Sequence, residues 1–215
     1  MQDICIIGTG NCGSAIAMGI LLKFSEKFEI LFLVDIDKNK RRGEQLDLAD
    51  ADMVYNHKNR IFASEPKNLP HADIYILTAG KNNFKKSRKE LLPFNKKLTI
   101  DYAKKIANIN PDAWLIVVTN PSYELSVEAM KYLRYVIPCG TLLDTGRLQK
   151  KMPLSYVTGV HGEGYIINMD TDNKNKLKEN IERLRNSAQK IMKLKGYTQW
   201  GITAEVIKHL EKVLS

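Results

Sequence analysis

Short apolar runs separated by amphipathic stretches dominate the first two thirds of this chain. The runs predict strands at Ile4–Gly8, Glu29–Asp35, Arg60–Ala63, Asp73–Thr78, Trp114–Thr119 and Tyr135–Cys139. Between them, apolar residues recur every three or four positions. That spacing predicts helices at Asn11–Phe24, Lys38–Met53, Arg88–Asn108 and Tyr123–Leu133. Strands alternating with helices imply parallel pairing through right-handed crossovers. Ile74 to Leu77 and Leu115 to Val118 are apolar at every position, as strands covered on both faces are. The pattern predicts an α/β fold, a doubly wound parallel sheet.

After Asp144 the pattern changes. A short helix is expected at Thr145–Lys151, stopping before Pro153, which cannot continue it. A strand-like run, Ser155 to Val160, leads to His161, and a polar turn follows at Asp170–Asn175. Two helices close the chain, Lys176–Leu194 and Thr203–Leu214. In the first, Leu177, Ile181, Leu184, Ala188, Ile191 and Met192 recur at helical spacing and predict a buried face. The change of pattern predicts two units, residues 1–143 and a mainly helical unit of residues 144–215.

The first strand breaks into Gly8-x-Gly10-x-x-Gly13 and opens onto a helix. Gly8 permits a tight turn, Gly10 a close approach by a pyrophosphate, and Gly13 close packing of the helix on the strand. The helix N-terminus, with Asn11 and Cys12 in the loop, then faces the phosphates. The second strand ends on Asp35, near the offset at which an acid receives the adenosine ribose. An acid there repels a 2′-phosphate. The reading is a Rossmann unit that binds NAD in preference to NADP.

Composition narrows the classes. The 215 residues are 44% hydrophobic and 27% charged, as in ordinary globular proteins. No apolar run is long enough to cross a membrane, and the N-terminus lacks the pattern of a secretory signal. Cys5, Cys12 and Cys139 have no metal-ligand spacing, and no metal is expected. Cys5 and Cys139 read as small core residues, and Cys12 as a small side chain at a helix start. A cytoplasmic location follows from this cysteine usage. The net charge of +9 invites a nucleic-acid reading. Its lysines are scattered and alternate with acids from Asn173 to Lys195, as on solvated helix faces, so no nucleic-acid partner is expected. His57, His71 and His209 sit in polar or helical surface contexts and read as bland.

Three further features could carry chemistry. Asn120-Pro121 closes a strand at its carboxyl end, where doubly wound folds place ligands. Asp144 and Arg147 stand three apart, on one face of a helix. His161 lies between Gly159 and Gly162.

In order along the chain, Gly8-x-Gly10-x-x-Gly13, Asp35, Thr78-Ala79-Gly80, Ser87-Arg88, Asn120-Pro121, Leu143-Asp144-x-x-Arg147 and Gly159-x-His161-Gly162 resemble the lactate/malate dehydrogenase family. Thr141 to Thr145 is most similar to its L-2-hydroxyisocaproate branch, and Lys193 to Ile202 to the helical segment lining the family's pocket. The resemblance implies a hydride transfer between NAD(H) and a small 2-oxo or 2-hydroxy acid. His161 would be the acid in reduction and the base in oxidation, with Asp144 holding its tautomer. Arg147 would grip the substrate carboxylate with two parallel hydrogen bonds. Arg88, on a closing loop, would polarise the carbonyl. Thr78, Ala79, Gly80, Asn120 and Ile202 would border the cofactor, with Asn120 and Thr198 also near the substrate. The substrate's variable end would meet Asn82 or Asn83. Neither is a cation, so a second carboxylate would go unpaired and a monocarboxylic acid is expected. Lys81 and Lys85 lie nearby and bear on this. A homo-oligomer, dimer or tetramer, is implied as well.

The chain departs from the family pattern in three places. The stretch from Arg147 to His161 is short, which puts in question whether the two face one pocket. Val160 stands where glutamate is usual, and Glu163-Gly164 follows the His-Gly pair. The chain stops at Ser215, before an antiparallel sheet and a final helix. The resemblance therefore implies a shortened catalytic unit. A relative that holds NAD(H) without turnover is the alternative reading.

Overall fold

The computed structural model describes residues 1–81, 88–150, 152–161, 165–168 and 174–215, with the backbone alone for residues 88, 89, 165, 174–177 and 185. Six strands form one sheet: β1 (Gln2–Ile7), β2 (Phe28–Val34), β3 (Arg60–Ser64), β4 (Ile74–Leu77), β5 (Trp114–Val117) and β6 (Tyr135–Pro138). Their order is β3-β2-β1-β4-β5-β6, and every pairing is parallel. The order reverses between β1 and β4, and the crevice beyond their carboxyl ends is where such sheets bind ligands.

The continuous apolar runs arise because both faces of the sheet are covered. Ile4 and Ile6 of β1 point to one side, against Ile16, Ile20 and Leu21 of α1 (Asn11–Phe24). Cys5 and Ile7 point to the other, against Tyr102, Ala103 and Ile106 of α3 (Arg88–Ile109). That alternation is the two-residue period of a strand. α2 (Lys38–Val54) places Leu48 on the first face, and α4 (Ser122–Ala129) places Leu125 and Ala129 on the second. α4 stops four residues before the expected end at Leu133, because the chain must turn to enter β6. Leu133 still packs in the second core, which is why the helical periodicity runs on past the helix.

The remaining elements are α5 (Thr141–Gln149), a hairpin of β7 (Tyr156–Gly159) and β8 (Tyr165–Asn168), α6 (Lys174–Lys195) and α7 (Trp200–Val213). α5 begins four residues before the expected Thr145. Gly140, two residues past β6, has φ of +129°, and the helix starts immediately after it. β8 has no counterpart in the predicted elements. It pairs antiparallel with β7, Val157 facing Ile167. Four residues carry too little periodicity to separate a strand from a loop. The expected polar turn at residues 170–175 falls mostly outside the described residues.

A small core of Leu148, Met152, Val157 and Leu184 joins α5, β7 and α6. α7 returns to the main sheet, burying Val206 and Leu210 completely beside α1. Those two side chains contribute on the order of 3–6 kcal/mol, as an upper bound, relative to exposure. α7 therefore ties the C-terminal part to the helix that follows the glycine loop.

Candidate active site

The loop after β1 is shaped by its glycines. Gly8 has φ of +102°, and its N–H donates to Val34 O at 2.7 Å. A Cβ on Gly13 would lie 1.9 Å from Gly8 O, so the loop closes on itself only with glycine there. A Cβ on Gly10 would meet nothing within 4 Å, which leaves open space over the loop. α1 starts at Asn11 with Gly10 as its N-cap and no side-chain cap. A phosphate fits such an opening, beside N–H groups at the positive end of a helix. The next strand closes the loop from behind. Thr78 Oγ1 donates to Gly8 O at 2.6 Å, and Ala79 N to Ile7 O at 2.7 Å.

Asp35 is held by this loop. Its Oδ2 accepts from Thr9 N at 2.8 Å and Thr9 Oγ1 at 3.0 Å, and its Oδ1 from Asp37 N at 3.0 Å. Burial pushes the Asp35 carboxyl up, but the Asp37 and Thr9 donors outweigh it and hold the group below its ordinary value. Arg41 directs its guanidinium to Asp35 O and Glu65. It is therefore committed within the protein. A depressed carboxyl stabilises the fold above the unfolded Asp value of about 4, and that contribution is lost as pH falls through the folded value. Thermal melts of Asp35→Ala and the parent protein should differ at neutral pH and converge as pH falls below the unfolded Asp value of about 4. A gap that stays constant with pH would contradict the assignment.

The second half of the site is built on α5. Asp144 is completely buried and bridges two partners. Its Oδ2 lies 2.6 Å from His161 Nδ1, and its Oδ1 accepts from Arg147 Nη1 at 3.0 Å. The acid and the arginine meet because they are one helical turn apart. His161 reaches them from the end of β7. The doubt raised by the short Arg147–His161 stretch is thus removed: both line one cavity of about 880 Å³. Cys12, Thr78 and Gly80 border that cavity from the dinucleotide side, and Asn120, Thr198 and Ile202 from the other elements. Leu91, Leu143, Ile191 and Met192 supply apolar wall, and Lys81, Lys193 and Lys195 lie along the lining. Two of these cations rest on aromatic rings: Lys81 Nζ lies 4.1 Å from the Phe94 ring centre and Lys195 Nζ 4.5 Å from that of Tyr197.

The comparisons with known proteins give the family and the fold. A family model described as "lactate/malate dehydrogenase, NAD binding domain" matches residues 2–134. The chain belongs to the lactate/malate dehydrogenase family. It is 27% identical to a probable L-lactate dehydrogenase of Schizosaccharomyces pombe, covering 98% of this chain and 73% of that protein. It is 29% identical to the L-lactate dehydrogenase A chain of Gallus gallus, covering 99% and 74%. The first alignment spans 244 positions against a chain of 215, so the relative carries residues that this chain lacks. The fold matches a malate dehydrogenase from Archaeoglobus fulgidus solved with NADH, with TM-score 0.85 and 24% identity over 99% of this chain and 77% of that one. It also matches a malate dehydrogenase from Plasmodium falciparum, with TM-score 0.84 and 22% identity over 100% and 78%.

The family is one of NAD-dependent oxidoreductases, and NAD is the cofactor of this chain's matched domain. Several residues around this cavity carry no local sequence signal. Asn95 is completely buried in α3. Its amide donates to Lys81 O at 3.1 Å and Asn120 O at 2.8 Å and accepts from Lys81 N at 2.8 Å, joining the Thr78-Ala79-Gly80 loop to Asn120. Thr9 holds Asp35, and Glu205 of α7 accepts three N–H groups at the start of α5. His209, expected on a solvated face, turns inward beside Glu205. The α6 stripe divides: Leu184 is core, while Ala188, Ile191 and Met192 line the cavity. Cys12 Sγ donates to Thr198 O at 3.2 Å, and burial pushes that thiol up, Lys195 partly opposing. Arg88 opens α3 and is placed by its backbone alone. Asn82, Asn83, Lys85, Ser87 and residues 162–164 lie outside the described residues. No described helix is long and apolar enough to cross a membrane.

Proposed function

We propose that this protein reduces monocarboxylic 2-oxo acids, and oxidises the matching L-2-hydroxy acids, in the manner of an L-lactate or L-2-hydroxyisocaproate dehydrogenase. The observation that carries the reading is the buried Asp144 carboxylate, which joins His161 and Arg147 on the wall of the cavity beside the glycine loop. Gly8, Gly10, Asn11, Cys12 and Gly13 would cradle the pyrophosphate, with Thr78, Ala79, Gly80, Asn120 and Ile202 along the cofactor. Asp35 keeps about one acceptor site for a ribose hydroxyl, because its two oxygens offer about four and Thr9 and Asp37 fill three. NAD(H), when bound, supplies or takes the hydride.

The protein's own groups handle the proton and the anion. Asp144 accepts the Nδ1–H of His161, so Nε2 is the nitrogen that gives a proton to the substrate oxygen in reduction and takes it in oxidation. The same carboxylate stabilises the imidazolium formed in oxidation. Arg147 uses N–H groups other than the one on Asp144 to hold the substrate carboxylate. Asn120 and Thr198 orient the substrate. By the resemblance, Arg88 would polarise the carbonyl and Asn83 would meet the variable end. The apolar wall of Leu91, Leu143, Ile191 and Met192 favours a hydrocarbon side chain over a second carboxylate. We read residues 1–143 as the NAD unit and 144–215 as the substrate unit. We also read the protein as a cytoplasmic homo-oligomer, a dimer or tetramer. Its three free cysteines support the first. Exposed Leu154, Tyr156 and Ile166 around the hairpin support the second.

The Asp144–Arg147 pair favours a second reading, in which the arginine serves the protein and NAD(H) is bound without turnover. Purified protein with NADH and a panel of pyruvate, 2-oxoisocaproate, phenylpyruvate and oxaloacetate separates the two. Loss of NADH absorbance, fastest with an apolar monocarboxylic acid, is the expected result. NADH binding without turnover on any acid selects the second reading, and fastest turnover of oxaloacetate overturns the monocarboxylic preference. Asp35→Ala should weaken NADH binding by about tenfold or more and narrow the preference over NADPH. An unchanged preference would remove Asp35 from the ribose site.

A further inference from the structure

Glu205 is outside every motif that marks the site, yet its buried carboxylate accepts three backbone N–H groups beside it. Its side chain is 1% exposed. Its Oε1 accepts from Gly140 N at 2.7 Å and Leu142 N at 3.3 Å, and its Oε2 from Leu143 N at 3.0 Å. These are N–H groups that the start of a helix leaves without partners, and α5 has no side-chain cap of its own at Gly140. The cap comes instead from α7, more than sixty positions away in sequence.

Gly140 is also where the acid–base pair rests. A Cβ there would lie 2.3 Å from Cγ of the His161 ring, so the imidazole packs against the bare Cα. One turn on, Asp144 N donates to Gly140 O at 3.1 Å. The residue that Glu205 grips therefore sets the height of both Asp144 and His161. On its other side α7 packs against α1, where Gly19 faces Ile207 and Thr203. Cys139, Glu205 and His209 bring potential metal-ligand atoms within 4.8 Å of one another. The charge pattern opposes a cation there: three N–H dipoles and the positive end of α5 already point at the carboxylate.

We propose that Glu205 is a positioning residue. By capping α5 from α7, it sets the Asp144–His161 hydrogen bond relative to the helix that follows the glycine loop. The proposal rests on the reading of His161 as the proton donor and acceptor.

The test compares Glu205→Gln, which keeps the size but replaces one acceptor oxygen with an N–H donor, and Glu205→Asp, which keeps both oxygens but shortens the reach. Four quantities are measured: melting temperature, NADH affinity by fluorescence, kcat and KM, and the downfield NMR resonance of the His161 Nδ1–H bonded to Asp144. The resonance is assigned by its loss in His161→Gln. In Glu205→Gln we expect NADH affinity within about twofold of the parent, kcat lower by about tenfold or more, and a shifted or broadened resonance. Glu205→Asp should change all of these in the same direction by less. A folded variant with parental kcat and an unmoved resonance overturns the proposal. So does joint loss of folding and NADH binding in both variants, which marks a purely structural residue. If Glu205→Gln alone fails to fold, Glu205→Asp decides by the same criteria. A parent that turns over no 2-oxo acid defeats the catalytic reading. The resonance, read without substrate, still decides the role of Glu205.

Discussion

His161→Ala is expected to lower kcat for 2-oxo acid reduction by about 10²- to 10⁴-fold, the usual contribution of a positioned general acid, while leaving NADH affinity unchanged. His161 lies 2.6 Å from the buried Asp144 and lines the cavity, whereas the glycine loop and Asp35 belong to other elements. Removing the imidazole deletes the proposed proton donor and leaves the phosphate and ribose contacts alone. Asp144 keeps its bond to Arg147, so its charge is not left without a partner. Stopped-flow reduction and NADH fluorescence titration on the same preparation measure the two quantities. Equal loss of NADH affinity would show that the variant disturbed the fold. Parental turnover would show that another group moves the proton.

Gly13→Ala is expected to act on the other half of the site. The added methyl would sit 1.9 Å from Gly8 O and 3.1 Å from Thr78 Oγ1, and the first of these neighbours is backbone. Neither α1 nor the end of β1 can yield without losing packing, because Ile7, Ile16 and Ala17 are fully buried. Overpacking of this kind costs about 1–3 kcal/mol. Expressed in the loop alone, that is a loss of about 5- to 150-fold in NADH affinity. Gly10→Ala is the matched control: its methyl meets no protein atom, so any loss it causes comes from blocking the ligand. Fluorescence titration and thermal melting of both variants test this. A Gly13→Ala protein that binds NADH like the parent would mean that the loop relaxes more easily than its packing implies.

The parallel sheet was legible in the chain because strands covered on both faces must be apolar at every position, and Ile74 to Leu77 admit no other reading once helices flank them. The glycine loop was legible for a related reason. Gly8 needs a positive φ and Gly13 a close approach, and no other residue type meets either demand cheaply. Tertiary packing accounts for the misplaced element ends. Leu133 keeps helical periodicity after α4 has ended, because it packs in the same core. α5 starts before its expected position, because a glutamate on another helix caps it.

Two different ranges of interaction explain what each level decided. The sequence by itself determined the class of fold and the dinucleotide loop, which depend on local demands of backbone conformation and period; it offered Asp144, Arg147 and His161 as candidates through their resemblance to the family. The tertiary structure alone decided that Arg147 and His161 share one carboxylate, and that Asn95 joins the Gly80 loop to Asn120. It also decided that Glu205 caps α5. Apart from the Asp144–Arg147 pair, one turn apart on α5, these are contacts between residues 14 to 65 positions apart, mostly on different elements. A buried polar side chain is placed by the need to satisfy its hydrogen bonds after the elements have packed, and no periodicity of neighbouring residues encodes that.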